Sequence, residues 1–102
     1  MTVAMQGEFG KARPALVIQA DHYQELGTVT VLPVTSTLIA APLLRVTLQP
    51  GPGNGLQRPS QVMADKAMTV KRGKAGPVFG RIDADAMLDV DRCLAVFLGI
   101  AK

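Results

Sequence analysis

The sequence predicts an α+β fold: an antiparallel sheet or small SH3-like β-barrel of about six short strands, covered by one C-terminal amphipathic helix. Two observations carry this. Short apolar runs bounded by Gly, Pro and Asn recur as far as Ile82, as strands and turns do. From Asp83 onward the apolar residues recur every three or four positions, which is the period of a helix. The length of 102 residues and hydrophobic fraction of 48% suit a single domain over residues 1–102 with one core. No run approaches the roughly 20 apolar residues that cross a bilayer. The N-terminus Met1-Thr2-Val3-Ala4-Met5-Gln6 has no charged leader, so no secretory signal is read and a cytoplasmic location is expected. One cysteine and one histidine exclude an internal disulfide and a Cys/His zinc cluster from one chain, so no metal or cofactor is expected.

Thr2 to Met5 reads as a short strand, joined through Gly7-Glu8-Phe9-Gly10 to a second strand, Ala15 to Gln19, that needs cover on both faces. Thr28 to Leu32 alternates Thr with apolar residues, and Pro33 is expected to end that strand or hold it at an edge. Thr35-Ser36-Thr37 then places three hydroxyls at the strand end, able to cap backbone groups or meet a ligand. Leu43 to Leu48 is the next strand. The tract Pro50-Gly51-Pro52-Gly53-Asn54-Gly55 lacks donors and side chains for regular structure and reads as an exposed loop of variable conformation. Ser60 to Ala64 and Met68 to Val70 are two short strands or one bent at Asp65-Lys66, and Pro77 to Ile82 is the last strand.

Asp83 is then an N-cap, Ile82 and Met87 stand at the positions of a hydrophobic staple, and Asp85 suits the positive helix end. Met87, Val90, Leu94 and Phe97 form the stripe that packs on the sheet, and Gly99 offers a left-handed stop. Cys93 lies beside the stripe as an inert small hydrophobe.

The formal net charge of +3 hides an asymmetry: residues 1–82 hold nine Lys/Arg against four Asp/Glu, while Asp83, Asp85, Asp89 and Asp91 crowd the helix. The basic portion suits a polyanionic partner, nucleic acid first, or is a solvated surface. Arg13 stands out within it. Pro14 pushes Arg13 toward extended backbone just before an apolar strand, so its guanidinium is oriented to grip a phosphate or carboxylate with two hydrogen bonds, unless it is a solvated surface group. His22 reads as a loop residue.

Arg13-Pro14-Ala15-Leu16-Val17-Ile18-Gln19, Leu32-Pro33-Val34-Thr35-Ser36, Pro59-Ser60-Gln61-Val62-Met63-Ala64-Asp65-Lys66 and Thr69-Val70-Lys71-Arg72, in this order and spacing, resemble the MazF/PemK toxins of bacterial type II toxin–antitoxin systems. The resemblance runs from about Val3 to Ile100 and takes in the helix ending Leu98-Gly99-Ile100. It implies the small barrel shared with the gyrase poison CcdB, a homodimer, metal-independent endoribonuclease activity, and neutralisation by a partly disordered, acidic antitoxin. It departs from the family at the start, where Met1-Thr2-Val3 replaces the usual Arg-Gly-Asp opening and a shortened first strand is expected. By resemblance the catalytic positions fall on Arg13 and Thr35. Contacts to single-stranded RNA are expected from Lys11, Ser36, Ser60, Gln61, Lys66, Lys71 and Arg72. RNA carries its own nucleophile, the 2′-hydroxyl, so a chain with few histidines and no paired carboxylates beside its basic stretches can still cleave it by orienting and stabilising charge. Two further readings remain at this point: a gyrase poison of the same fold, acting through its C-terminal helix without catalysis, and an inactive relative that binds antitoxin.

Overall fold

The computed structural model describes residues 2–6, 12–18 and 25–100. Seven strands, β1 (Thr2–Gln6), β2 (Ala12–Val17), β3 (Thr28–Thr35), β4 (Arg45–Leu48), β5 (Ser60–Met63), β6 (Met68–Lys71) and β7 (Ala75–Gly80), precede one helix, α1 (Ala84–Phe97). The sheet runs β4-β5-β3-β2-β1-β7, every pair of neighbours antiparallel, and β6 joins β3 off this path. Short 3₁₀ turns at Ala64–Lys66 and Arg72–Lys74 separate β5, β6 and β7, so the bend expected at Asp65-Lys66 is present.

β3 is the spine, and it runs through Pro33 instead of stopping there. Its N-terminal half pairs with β6 from Thr28↔Lys71 to Val31↔Met68, and its C-terminal end pairs with β5 at Val34↔Val62 and Thr35↔Gln61. Pro33 falls in the seam between these two ladders. On the opposite edge β2 is paired through Ala15↔Pro33, Leu16↔Leu32 and Val17↔Val31, and Ile18 N–H donates to Thr30 O at 3.2 Å. Strand alternation then turns the polar backbone groups of Thr30 and Leu32 toward β2 and leaves the Pro33 nitrogen facing the seam, where no donor is needed.

Both faces of β2 and β3 are buried, as the apolar run Ala15 to Ile18 requires. Leu16, Leu32 and Val34 pack with Val46, Leu48, Val62 and the helical Val90. On the other face Ala15, Val29 and Val31 form a second cluster, flanked by Val17, Val70 and Ala75.

Among the described residues no ladder joins β4 to β7, so the sheet curls without closing into a hydrogen-bonded barrel. A loop spans the gap. The Pro/Gly tract after β4 is exposed but ordered: the Asn54 side chain accepts from Gly51 N–H at 3.2 Å and Leu56 N–H at 3.0 Å and donates to Gln49 O at 2.8 Å. Arg81 N–H then donates to Gly53 O at 2.8 Å. The approach is so close that a Cβ on Gly80 would overlap the Asn54 backbone, which is why β7 ends in glycine.

The helix follows its sequence signals. Asp83 accepts from Ala86 N–H at 2.7 Å, and Ile82 and Met87 both pack against the larger core cluster. At the other end Gly99, at φ 76°, and Ile100 donate to Val96 O and Ala95 O at 3.1 and 2.8 Å, the paired bonds of a Schellman stop. The packed face is made by Met87, Val90, Cys93 and Leu94. Phe97, expected on that face, is 48% exposed, and Val96, Leu98 and Ile100 are exposed with it. Cys93 is a packed small side chain: burial pushes its thiol up and Asp89 adds to this. Among the described residues no helix is long and apolar enough to cross a membrane.

Candidate active site

Arg13 lies near the start of β2 and Thr35 ends β3. The β2–β3 register, carried two residues past Ala15↔Pro33, comes to Arg13 and Thr35. The ladder stops short of them because Pro14, whose backbone would face β3, brings no N–H. Two residues 22 apart in sequence thus both fall just past the end of the β2–β3 ladder. Arg13 is exposed and Thr35 half-buried. Thr35 Oγ1 accepts the N–H of Thr37 at 3.1 Å, which fixes the hydroxyl and leaves its own hydrogen to be donated elsewhere. Ser36 is exposed directly beside it.

Across the other edge of β3, Thr35 pairs with Gln61, and Gln61 pairs with Thr47 on β4. Paired residues share a face, so Thr35, Gln61 and Thr47 form a polar line across three strands. Gln61 is engaged within the fold. It is 5% exposed, its carbonyl accepts from Ile39 N–H at 3.1 Å, and its amide nitrogen donates to Ile39 O at 3.0 Å and Thr47 Oγ1 at 3.1 Å. Ser60, also expected to touch RNA, is buried on the core side of β5 and donates to Arg58 O at 2.9 Å.

The basic residues divide by location. Lys66 is exposed on the turn after β5, 3.8 Å from Asp65. Lys71 is exposed at the Thr28 end of β3, seven residues and roughly 23 Å from Thr35 at about 3.3 Å per residue. Arg72 beside it donates to Leu26 O at 2.7 Å and Thr28 O at 3.2 Å, while its own N–H meets Gly27 O at 2.9 Å. These bonds fasten the start of β3 and engage at least two of the five N–H groups of a guanidinium that the sequence offers as a phosphate contact. Lys11 and His22 lie outside the described residues.

Two charged residues not anticipated from sequence are paired with each other. Arg45, at the start of β4, is ion-paired with Asp65. Burial opposes the Asp65 charge, but the hydrogen bond from Arg45 and the charges of Arg45 and Lys66 outweigh it and hold the carboxyl below its usual range. Both partners are mostly buried, so the pair braces the turn that carries Lys66. Its signal in sequence is an arginine inside an otherwise apolar strand. Among the described residues no three His, Cys, Asp or Glu side chains gather as metal ligands.

Residues 2–98 match the family model described as a PemK-like, MazF-like toxin of type II toxin–antitoxin systems. The chain belongs to this family. This MazF-like protein is 44% identical over 101 residues, 98% of its own length and 93% of the other's, to the probable endoribonuclease MazF of Mycolicibacterium smegmatis. Its fold superposes on Mycobacterium tuberculosis toxin MazF-mt6 with a TM-score of 0.84 at 23% identity, covering all of both chains. It superposes on a chain of the Deinococcus radiodurans MazE–MazF crystal structure with a TM-score of 0.77 at 28% identity, covering 98% of this chain and 92% of that one.

Proposed function

We propose that this MazF-like chain is the toxin of a type II pair, a cytoplasmic, metal-independent and sequence-selective endoribonuclease that cuts single-stranded RNA by attack of the substrate's own 2′-hydroxyl. The observation that supports the proposal is that the β2–β3 ladder ends at Ala15↔Pro33, two residues short of an exposed Arg13 on β2 and of Thr35 on β3 with an exposed Ser36 beside it. Its kinship with a MazF named as a probable endoribonuclease supports the same chemistry.

In this reaction the 2′-oxygen forms a bond to phosphorus and the bond from phosphorus to the 5′-oxygen breaks. The 2′-hydroxyl proton leaves and the departing 5′-oxygen gains one, giving a 2′,3′-cyclic phosphate and a 5′-hydroxyl. Negative charge grows on the non-bridging phosphoryl oxygens as the bond forms. A guanidinium offering two parallel N–H groups stabilises that charge best where the oxygens spread, and its orientation by Pro14 removes part of the ordering cost. Thr35, with its lone pair engaged by Thr37 N–H, donates its hydrogen to the same phosphate or to the attacked nucleotide. Neither residue is assigned as a general base, since arginine stays protonated and threonine is a very weak base. Lys66, exposed on the turn after β5, is the described lysine offered to a flanking phosphate, Lys71 standing at the far end of β3 on its other face, and Ser36 is offered to the nucleotide at the cut. Ser60 and Gln61, both buried, serve in this proposal from within the fold.

The toxin reading brings two partners. The exposed apolar residues Val96, Phe97, Leu98 and Ile100 require cover of the kind a homodimer provides. The antitoxin is an acidic, partly disordered segment competing with RNA for the basic surface. The M. tuberculosis-like fold is shared by a mycobacterial endoribonuclease solved in complex with its cognate antitoxin.

The test is cleavage of a long RNA in excess chelator, followed by analysis of the new ends. Cyclic phosphate and 5′-hydroxyl ends are expected. An RNA with one 2′-deoxy nucleotide before the break must resist; efficient cutting there, or 5′-phosphate products, overturns the mechanism.

A further inference from the structure

We infer that Gln61 is a positioning residue for the cleavage reaction: its carboxamide clamps the segment that follows Thr35 and so fixes the Thr35 hydroxyl, without touching RNA. The inference rests on the reading of Thr35 as part of the RNA-cleaving site and specifies how that residue is held.

The chain between Thr35 and Arg45 belongs to no strand. Near its far end Leu44 and Arg45 N–H groups donate to Ala41 O at 3.0 and 2.9 Å, a local turn that says nothing about where the segment lies on the sheet. Farther along, Ala64 N–H donates to Leu44 O at 2.9 Å and Cys93 Sγ to Pro42 O at 3.8 Å, while the part nearer Thr35 is gripped by Gln61, which holds both the N–H and the C=O of Ile39. Two bonds to one residue fix direction as well as distance, much as a ladder partner does. The amide cannot be reversed: turned over, it would set an NH₂ against the Ile39 N–H and leave its oxygen facing a carbonyl. Thr47 Oγ1 takes the second amide hydrogen, so all three polar contacts of the buried side chain point one way.

The geometry closes on Thr35. Gln61 is the ladder partner of Thr35, and from Thr35 the chain leaves the strand, passes Thr37, and is caught at Ile39 by the side chain of that same partner. Thr37 supplies the N–H that fixes Thr35 Oγ1. Without the grip on Ile39 the arc 36–41 can swing, and the Thr37 N–H that orients the hydroxyl goes with it. Leu38 and Ile39, both about half exposed, offer the segment little apolar burial to hold it otherwise.

The test compares single-turnover cleavage at saturating enzyme with affinity for an uncleavable 2′-deoxy RNA, in Gln61→Met, Thr35→Ala and the double variant. Gln61→Met keeps length and burial while removing all three polar contacts. Misplacement of a reacting group by about an ångström costs up to about a hundredfold, so Gln61→Met is expected to cut on the order of tenfold or more slower, with RNA affinity within about threefold of wild type. On the Thr35→Ala background the same substitution should add less than about twofold, because contributions made through a shared group are not additive. A full additional loss on that background overturns the inference, as does a wild-type rate in Gln61→Met. Thr47→Val, which removes one anchor and keeps the two bonds to Ile39, serves if Gln61→Met does not fold. It should slow cleavage by about threefold in wild type and not at all with Thr35→Ala, and an equal effect on both backgrounds overturns the clamp. Unimpaired cleavage by Thr35→Ala and Arg13→Ala would instead defeat the reading of the site itself, a result distinct from impaired Thr35→Ala beside fully active Gln61→Met.

Discussion

Arg13 and Thr35 bear the chemistry in this reading, and their substitutions separate charge, shape and hydroxyl. Arg13→Ala is expected to lose on the order of a hundredfold in cleavage rate, about 3 kcal/mol in the transition state, with the fold intact because the side chain is exposed. Arg13→Lys should recover little, since a point charge does not reproduce the planar fork. Thr35→Ser should exceed Thr35→Ala if the hydroxyl is what matters; rate measurements on the four variants decide. The salt dependence of RNA binding checks the flanking cations. Removing one cation that neutralises a phosphate should reduce the slope by about 0.7 for single strands, so Lys66→Ala should flatten it, whereas Arg72→Ala should leave it unchanged and lower thermal stability. The extended backbone at Arg13 was legible in sequence because its cause is local, the proline that follows. Arg72 and Gln61 were not, because their partners Leu26 and Ile39 lie 46 and 22 residues away. A guanidinium bonded to carbonyls and one bonded to phosphate look identical in a string of letters.

The elements differ in how much of their cause is local. The helix is bounded by signals within a few residues of its ends, and Asp83, the Ile82–Met87 staple and Gly99 all stand where the sequence sets them. Removing the N-cap with Asp83→Ala should cost about 1 kcal/mol of unfolding free energy, read by denaturant titration, with no change in slope. The sheet is otherwise. Pro33 breaks a strand by every local criterion, yet β3 passes through it because its second partner changes at that residue, a fact of topology invisible from within the segment. The Arg45–Asp65 pair gives the turn after β5 a pH dependence. Asp65 binds its proton less readily folded than unfolded, so the pair stabilises above the normal carboxylate range of about 4, and that stability drains away as pH falls through the folded value. Asp65→Asn should lower stability at neutral pH and flatten the acid limb of the melting curve; an unchanged acid limb would show that other carboxylates set it.

At the scale of the whole molecule the core is shared between two faces of one curled sheet, and the helix ends in exposed apolar residues. Leu16→Ala, at a fully buried position where β2 meets the helix-side cluster, should cost about 2–5 kcal/mol and reduce cleavage only by depleting the folded protein. Light scattering at micromolar concentration should give the mass of two chains. A mass of one chain that persists on concentration would count against the homodimer and leave the apolar helix end unexplained. RNA and antitoxin should exclude each other, so a stable ternary complex with undiminished RNA affinity would refute a shared surface.

The Pro/Gly tract at residues 50–55 looks like the place where an engineer would lengthen the chain, attach a tag or cut and rejoin the termini, since exposed small-residue loops tolerate such surgery. Here it is the wrong place. Asn54 is tied to three neighbours and its backbone lies against Gly80, so one inserted residue between Gly51 and Asn54 would unseat the contact that spans the open side of the sheet. The resulting protein would expose two unsatisfied strand edges, the usual starting point for chain-to-chain pairing and aggregation.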